Sequence, residues 1–468
     1  MKIHATFPGR LVILGFGSVG QAVLPLVLRH IDIDPRRITV LSKRGPRTGI
    51  AERFGVAHLA RPLDRGNYAA TLDQHLREGD FLLNVCVEVE SVSLMEHCRR
   101  RGVLYLDTCI EPWPGRSEDG TLDPSLRSNY ALREEALALR RDGAPTAVVT
   151  MGANPGLASH FVKRALLDLA ADLRPGSAHP ARPAEWARLA SDLGVKAIHI
   201  AERDTQVTPQ RKERDEFVNT WSVNGFVGEG LQPSEIGWGT HERDFPADGA
   251  RHGFGSQAAI YLRRPGAGTR VRSWTPLEGP YHGFLITHGE SISIADHLTL
   301  RDAHGAVLYR PTVHYAYHPC DDAVLSLHEM AGKDWKPQDR SRILRDEITS
   351  GMDELGVLLM GHARSAYWYG SRLTIEEARA LAPYNSATSL QVAAGILAGM
   401  VWAIRNPRRG VVEPDDLGLD EVMEVAAPYL GQMAGAYAEW TPLRDRSALF
   451  PSEVDADDPW QFRNFRVL

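Results

Sequence analysis

The sequence predicts an α/β protein, with an N-terminal doubly wound parallel sheet followed by a second, mixed α+β domain. Three observations carry this. Over the first 150 residues, short apolar runs alternate with helical patterns, as parallel βαβ units do. A glycine-rich turn, Gly15-Phe16-Gly17-Ser18-Val19-Gly20, joins the first run to the first helix. Beyond a connection at 174–185 rich in Pro, Ala and Arg, the pattern changes to short strands and long loops rich in Gly and Trp.

Taken in order, Leu11–Leu14 reads as a strand, Val19–His30 as a helix and Ile38–Leu41 as the next strand. Phe81–Val85 and Val103–Asp107 are further strands, with the helix Ser91–Arg101 between them. Asn129–Arg141 is a helix rich in Ala, Leu and Arg, followed by a strand at Thr146–Thr150 and a helix at Leu157–Ala171. In the second half, Ala197–Ile200, Thr220–Val223, Gly283–Thr287 and Val313–Tyr317 read as strands. After residue 340 the pattern predicts helices at Arg340–Leu359, Thr374–Leu381 and Ser386–Ile404. This divides the chain into a nucleotide-binding domain at 1–151, a mixed α+β domain at 152–380, and a helical segment at 381–468 expected to pack back on the first domain.

The chain has 468 residues, enough for two or three domains. Lys+Arg 53 against Asp+Glu 59 leaves a net charge of −6. So weakly acidic a chain lacks the basic excess of a nucleic-acid or membrane-surface binder. Four cysteines (Cys86, Cys98, Cys109 and Cys320) with no CxxC pair support neither a disulfide framework nor a zinc ribbon. The apolar run near the N-terminus is too short for a secretion signal. The run Val392–Ile404, interrupted by Gly395 and Gly399, reads as a buried helix rather than a membrane span. The expected compartment is the cytoplasm.

The glycine turn has the GxGxxG spacing of a dinucleotide site in a Rossmann domain. Gly15 permits the tight turn, Gly17 lets the backbone approach a diphosphate, and Gly20 lets helix pack on strand. The helix then offers free N–H groups to the phosphates. Ser18 and Val19 of the same loop join the expected cofactor set. So do Ser42, Asn84 and Thr108 at the ends of later strands, and Asn154. The acid expected about 20 residues after the loop is missing. The second strand instead ends Leu41-Ser42-Lys43-Arg44, which leaves NAD and NADP both open.

Ligands in such sheets bind beyond the carboxyl ends of the strands. Two loops there carry unusual residues: Asp107–Trp113, with Glu111 beside Pro112 and Trp113, and Met151–Gly156, whose Asn154 could also cap the following helix. The second domain repeats the pairing of acid with aromatic in Glu202, Trp221, Glu229 and Trp238. His288 ends an apolar strand and Asp353 precedes an apolar stretch. Acids beside tryptophans suit a cationic ligand, because an indole face attracts a cation by about 0.5–2 kcal/mol. His314, His318 and Cys320 cluster without a recognised third-ligand spacing, so no metal site is expected. No GxSxG elbow is present.

Several separated strings resemble the bacterial homospermidine synthase family, relatives of the saccharopine dehydrogenase group. They include the glycine loop, Glu111-Pro-Trp-Pro-Gly115, Gly152-Ala-Asn-Pro-Gly156, Ile198-His-Ile-Ala-Glu-Arg-Asp-Thr205, Asn219-Thr-Trp-Ser222 and Glu229-Gly-Leu-Gln-Pro233. His314-Tyr-Ala-Tyr-His-Pro-Cys320, Leu325-Ser-Leu-His-Glu-Met330, Ala366-Tyr-Trp-Tyr-Gly370 and Asp458-Pro-Trp-Gln-Phe-Arg-Asn464 extend the likeness over nearly the whole chain. The resemblance implies a homodimer that joins two putrescines, or spermidine and putrescine, into homospermidine. It releases ammonia or diaminopropane and uses NAD as a prosthetic group. Oxidation gives an imine, a second amine attacks it, and the hydride returns. Glu202 and Asp353 match the inner-site carboxylates. Glu111, Asn154, Glu229 and His288 match polar groups near the reacting amine, and Trp221 matches the residue that steadies the cationic intermediates.

The chemistry also asks for a base, because hydride leaves carbon only when the attached nitrogen has a free lone pair. Glu111, Glu229 and His288 are the candidates. No lysine sits in a motif that demands a Schiff base, so no covalent enzyme–imine is expected; Lys163 is a remote candidate. A competing reading keeps the fold but makes the protein a saccharopine- or carboxynorspermidine-type NAD(P)-dependent dehydrogenase that joins an amine to an oxo acid. Carboxylate substrates need Arg clamps, for which Arg203 and Arg243 are nearest.

Overall fold

The computed structural model describes residues 2–467 except 46–48, 117–118 and 447–450. The N-terminal sheet has seven strands, all parallel. Their order is Val411–Val412, Ala147–Val148, Leu104–Asp107, Phe81–Asn84, Leu11–Leu14, Ile38–Ser42 and Ala57–Ala60. Leu11–Leu14 and Phe81–Asn84 are buried on both faces, as strands covered by helices on both sides must be. Helix Ser18–His30 follows the glycine loop.

The second sheet has eleven strands and is mixed. At its centre Ala197–Asp204 runs parallel to Thr312–His318 and antiparallel to Met352–Met360. This register decides the chemistry. Glu202, Asp204, Tyr315, Tyr317, Asp353 and Leu355 alternate onto one face of the sheet, and His199, Ala201, His314 and Glu354 onto the other. The first face looks toward the N-terminal sheet. The second is covered by the C-terminal tail, where Phe462 and Phe465 are fully buried.

Helix Ala387–Arg405 lies between the two sheets, packed on helix Ser18–His30 and on strand Leu104–Asp107. It is long and apolar enough to cross a membrane, but it is 89% buried inside the protein. Gly395 lets it approach the loop that carries Asn154, since a Cβ there would collide with the carbonyl of Gly152.

Three expectations from the sequence differ from what is observed. Arg340–Leu359 is not a helix; it is two strands, Arg340–Ile343 and Met352–Met360. The Leu/Val/Met run is buried between two antiparallel neighbours, and this tertiary setting overrides its helical look. Thr220–Val223 is not a strand. The strand ends at Asn219, and Ser222 caps the glycine-rich helix Val223–Leu231 by accepting from the N–H of Gly225. The stretch 381–468 is not helical throughout. It supplies Val411–Val412 to the first sheet, and Gln432–Ala438 and Arg466–Val467 to the second.

Candidate active site

The glycine loop fits an extended dinucleotide. Gly15 has a φ of 97°, and a Cβ there would lie 2.7 Å from the carbonyl of Val85. Gly17 faces open space. Helix Ser18–His30 begins with no side-chain cap and no acid in its first turn, so its N–H groups and positive dipole end are available to an anion. A groove of about 440 Å³ runs from there over the strand ends, lined by Leu14, Ser42, Lys43, Arg65, Val87 and Trp113. Ser42 engages Nε2 of His58 at 2.7 Å, and no carboxylate takes its place at the strand end. Toward the interior, Val19, Asn84 and Thr108 line a second cavity. Asn84 is held from below: its Nδ2 donates to the Tyr105 hydroxyl at 3.2 Å, and that hydroxyl donates to Asp107 at 2.8 Å. Burial pushes the Asp107 carboxyl up to about 7.

That inner cavity, about 110 Å³, gathers Glu111, Asn154, Glu202, Trp221, Glu229 and His288 from five separate stretches of chain. Glu202 and Tyr315 project from adjacent parallel strands. Asn154 does not cap the helix that follows it; the cap position is Gly156. Its Nδ2 instead donates to Glu202 at 2.5 Å and to the Tyr315 hydroxyl at 2.8 Å, while that hydroxyl donates to Glu202. Asp353 lies behind Glu202, with Thr388 donating to its Oδ2 at 2.6 Å and its Oδ1 buried without a partner. Asp204 completes the group and accepts from Gln206 and Thr220. Burial raises the Glu202 carboxyl to about 7, and burial together with the charges of Glu202 and Asp204 raises that of Asp353 well above its ordinary range.

At the other end of the cavity, His288 stands between two carboxylates. Its Nε2 is 3.2 Å from Glu229 and its Nδ1 is 3.1 Å from Glu290. Burial works against its charge, but the two acids outweigh it and raise its pKa to about 10. The ring lies over Tyr315, centroids 4.2 Å apart. Burial, and then the charge of Glu229, lifts the nearby Glu111 to about 8. Trp221 closes the wall. Its Nε1 donates to the Tyr317 hydroxyl at 3.2 Å and its ring leans on Phe226. Glu111 and Glu229 also line an outer cavity of about 400 Å³, with Trp113, Asn224 and Arg340 at its margins. The two cavities share Val87, Cys109, Glu111, Gly225 and Glu229 as walls.

Not every residue singled out in the sequence comes to the cavity. Lys163 is buried elsewhere, its Nζ donating to the carbonyls of Asp415 and Leu417. His314 turns to the opposite face of the sheet, its ring tilted against that of His199 with centroids 4.0 Å apart. Trp238 packs on Phe245 and Phe462. Arg203 pairs with Glu278 and Asp321, and Arg243 with Asp455, both outside the cavity. No Arg or Lys lines the inner cavity among the described residues. Glu290, Thr388 and Asp204 were not among the expected site residues. The nearness of Glu290 to His288 is a local signal for the first; the other two meet the site only through the fold.

Comparison with known proteins is consistent along the whole chain. The family described as saccharopine dehydrogenase NADP binding domain matches residues 11–151, and the saccharopine dehydrogenase C-terminal domain matches residues 152–437. Homospermidine synthase from Blastochloris viridis is 53% identical, over 99% of this chain and 98% of that protein. Homospermidine synthase from Mesorhizobium japonicum is 50% identical with the same coverage. The crystal structure of homospermidine synthase from Legionella pneumophila in complex with NAD superposes with a TM-score of 0.93 at 50% identity, covering 99% of this chain and 98% of that one. Apo saccharopine dehydrogenase from Saccharomyces cerevisiae shares the fold, with a TM-score of 0.53 at 11% identity.

Proposed function

This chain belongs to the homospermidine synthase family, and from that premise we propose that it uses NAD to join two putrescines, or spermidine and putrescine, into homospermidine. The observation that carries the reading is the inner cavity: carboxylates and an indole, with no Arg or Lys among them. Such a lining favours a diammonium substrate. It disfavours the alternative of an amine joined to an oxo acid, whose carboxylates would need a guanidinium clamp.

In this reading Glu202 and Asp353 hold the far ammonium of the first diamine, with Asn154, Tyr315 and Thr388 fixing the two carboxylates. The near ammonium must lose a proton before its carbon can release hydride. Glu111 and Glu229, at the mouth of the cavity, accept it and pass it toward solvent. The glycine loop, with Val19, Asn84 and Thr108 beyond it, would hold NAD, which would supply hydride acceptance and return. Trp221 presents its π face to the iminium that results, and the surrounding carboxylates stabilise the same charge. His288, held charged between Glu229 and Glu290, donates a proton to the leaving amine. The second diamine enters through the outer cavity past Glu111 and Glu229. Limited access to the inner cavity keeps water from hydrolysing the imine.

The same proposal places the protein in the cytoplasm as a homodimer with polyamine ligands and no nucleic-acid or membrane partner. Mass spectrometry of products from purified protein given putrescine and NAD tests the reaction. Homospermidine and ammonia in equal amounts, with NAD needed only in catalytic quantity, are expected. Stoichiometric NADH without homospermidine would overturn the reading, and sedimentation as a monomer would overturn the dimer.

A further inference from the structure

The loop between Arg340–Ile343, which pairs with Glu216–Asn219 in a separate two-stranded sheet, and Met352–Met360 of the second sheet reaches across to the glycine loop. Leu344 and Ile348 are buried and anchor it. The Leu344 N–H donates to the carbonyl of Asn219 at 2.8 Å, and the Arg345 carbonyl accepts from Arg379 at 3.1 Å. From this pinned backbone Arg345 extends to helix Ser18–His30, where its guanidinium donates to Oε1 of Gln21 at 2.7 Å. Gln21 lies in the first turn of that helix and is itself buried. Its Nε2 donates to the carbonyl of Phe16, between Gly15 and Gly17, at 2.8 Å.

The charge placement is unusual. Among the described residues Arg345 makes this one side-chain hydrogen bond and no ion pair. The acid two residues away, Glu347, accepts from the Arg345 backbone N–H at 2.9 Å and lies beside Arg342 at 3.6 Å. A solvent-exposed guanidinium with no ion pair among the described residues is thus held beside the positive end of a helix that has neither an acid in its first turn nor a side-chain cap. An anion lying between the two would be attracted by both. The anion this loop is built to take is a diphosphate.

We propose that Arg345 is a clasp on the dinucleotide: from the substrate side of the molecule it closes on the diphosphate and keeps the cofactor in place between oxidation and reduction. A cofactor that must return its own hydride has to outlast the whole reaction in the site, and a contact made by the opposite sheet slows its departure in a way the glycine loop alone does not. The proposal rests on the NAD-dependent reading above. Its test does not depend on catalysis.

Wild-type, Arg345→Gln and Arg345→Lys proteins are purified with their bound NAD. The NAD retained after desalting is measured, followed by the Kd for NAD, ADP-ribose and adenosine. Arg345→Gln is expected to lose most of its NAD on desalting and to bind NAD and ADP-ribose on the order of tenfold more weakly, the scale of a lost charged hydrogen bond. Adenosine, which has no phosphate, should bind within about twofold of wild type by the same reasoning. Arg345→Lys keeps the charge without the planar fork and should fall between. NAD and ADP-ribose affinities unchanged in Arg345→Gln would overturn the clasp. So would an equal loss for adenosine, which would mark a general loosening of the groove. A wild type that binds NAD but makes no homospermidine would count against the functional reading and leave these measurements standing.

Discussion

Nε2 of His288 stands 3.2 Å from Oε2 of Glu229, so the ring is paired directly with the acid at the cavity mouth. The opposite ring nitrogen is engaged by Glu290, which touches neither the cavity nor any substrate path. Glu290 is therefore a positioning residue. Replacing it with Gln removes one of the two negative charges that raise His288 to about 10. The alkaline limb of the kcat profile should move to lower pH, with kcat at neutral pH reduced less than at pH 9. A pH profile of homospermidine formation checks this; an unshifted limb would mean His288 is not the group that titrates.

In the proposed reading, the pH dependence of substrate capture follows from Glu202. It must be ionised to hold an ammonium, yet in the free protein its pKa is raised to about 7. Below that pH the carboxyl is protonated and grips poorly, so kcat/KM for putrescine should rise as pH increases through about 7. Diamine binding near neutrality should release protons, measurable by calorimetry in two buffers. Glu202→Gln should flatten this limb and raise KM.

The same shift has a stability sign. A carboxyl whose folded pKa lies above its unfolded value binds more protons in the native state. It contributes stability at low pH that is lost as pH rises through the window from about 4.5 to about 7. Glu235 and Asp107, also raised to about 7 by burial, act in the same direction. Buried histidines held below their ordinary range, such as His160, His252 and His314, act in the opposite direction, so the contribution of Glu202 is read by difference: the Tm of Glu202→Gln relative to wild type should rise from pH 5 to pH 7.5. The upward shift in Tm on adding putrescine should be larger at pH 8 than at pH 6.

Trp221→Phe should be milder than Trp221→Ala, because Phe keeps a weaker π face. At about 0.5–2 kcal/mol for the cation–π contact, the Ala variant should lose about 2- to 30-fold in kcat/KM. Trp221 is only half-buried, so Tm should change little. Equal losses in the two variants would reduce the indole to a wall.

Lys163→Met should keep kcat and lower Tm, since it leaves the carbonyls of Asp415 and Leu417 unpartnered at a cost of about 1–3 kcal/mol each. Borohydride added during turnover with putrescine should trap no adduct on this lysine.

Local signals made five of the seven strands of the first sheet and the glycine loop legible in the sequence, because alternation and turn spacing need no knowledge of distant partners, whereas Ala57–Ala60 and Val411–Val412 went unread. The candidate acids and Trp221 could be picked out one by one as acids beside aromatics, and their convergence was implied only by resemblance. What stayed hidden depends on neighbours. Met352–Met360 looks helical until its two antiparallel partners bury both of its faces. Asp204 and Asp353 meet because two strands align them opposite each other in register, a pairing 149 residues apart in sequence (353 − 204). Thr388 reaches Asp353 only because Gly395 lets its helix sink against the loop at Gly152.

Val411–Val412 has a consequence for biogenesis. A chain emerging from the ribosome can assemble six strands of its first sheet early, yet the seventh arrives only after the whole middle of the polypeptide has been made. The nucleotide half thus waits, with its Ala147–Val148 edge bare, for a stretch that passes through the other half first. A cut at residue 151 therefore leaves the first sheet without its last strand. A fragment ending at residue 151 should be aggregation-prone when expressed alone and should be rescued by co-expression of the remainder.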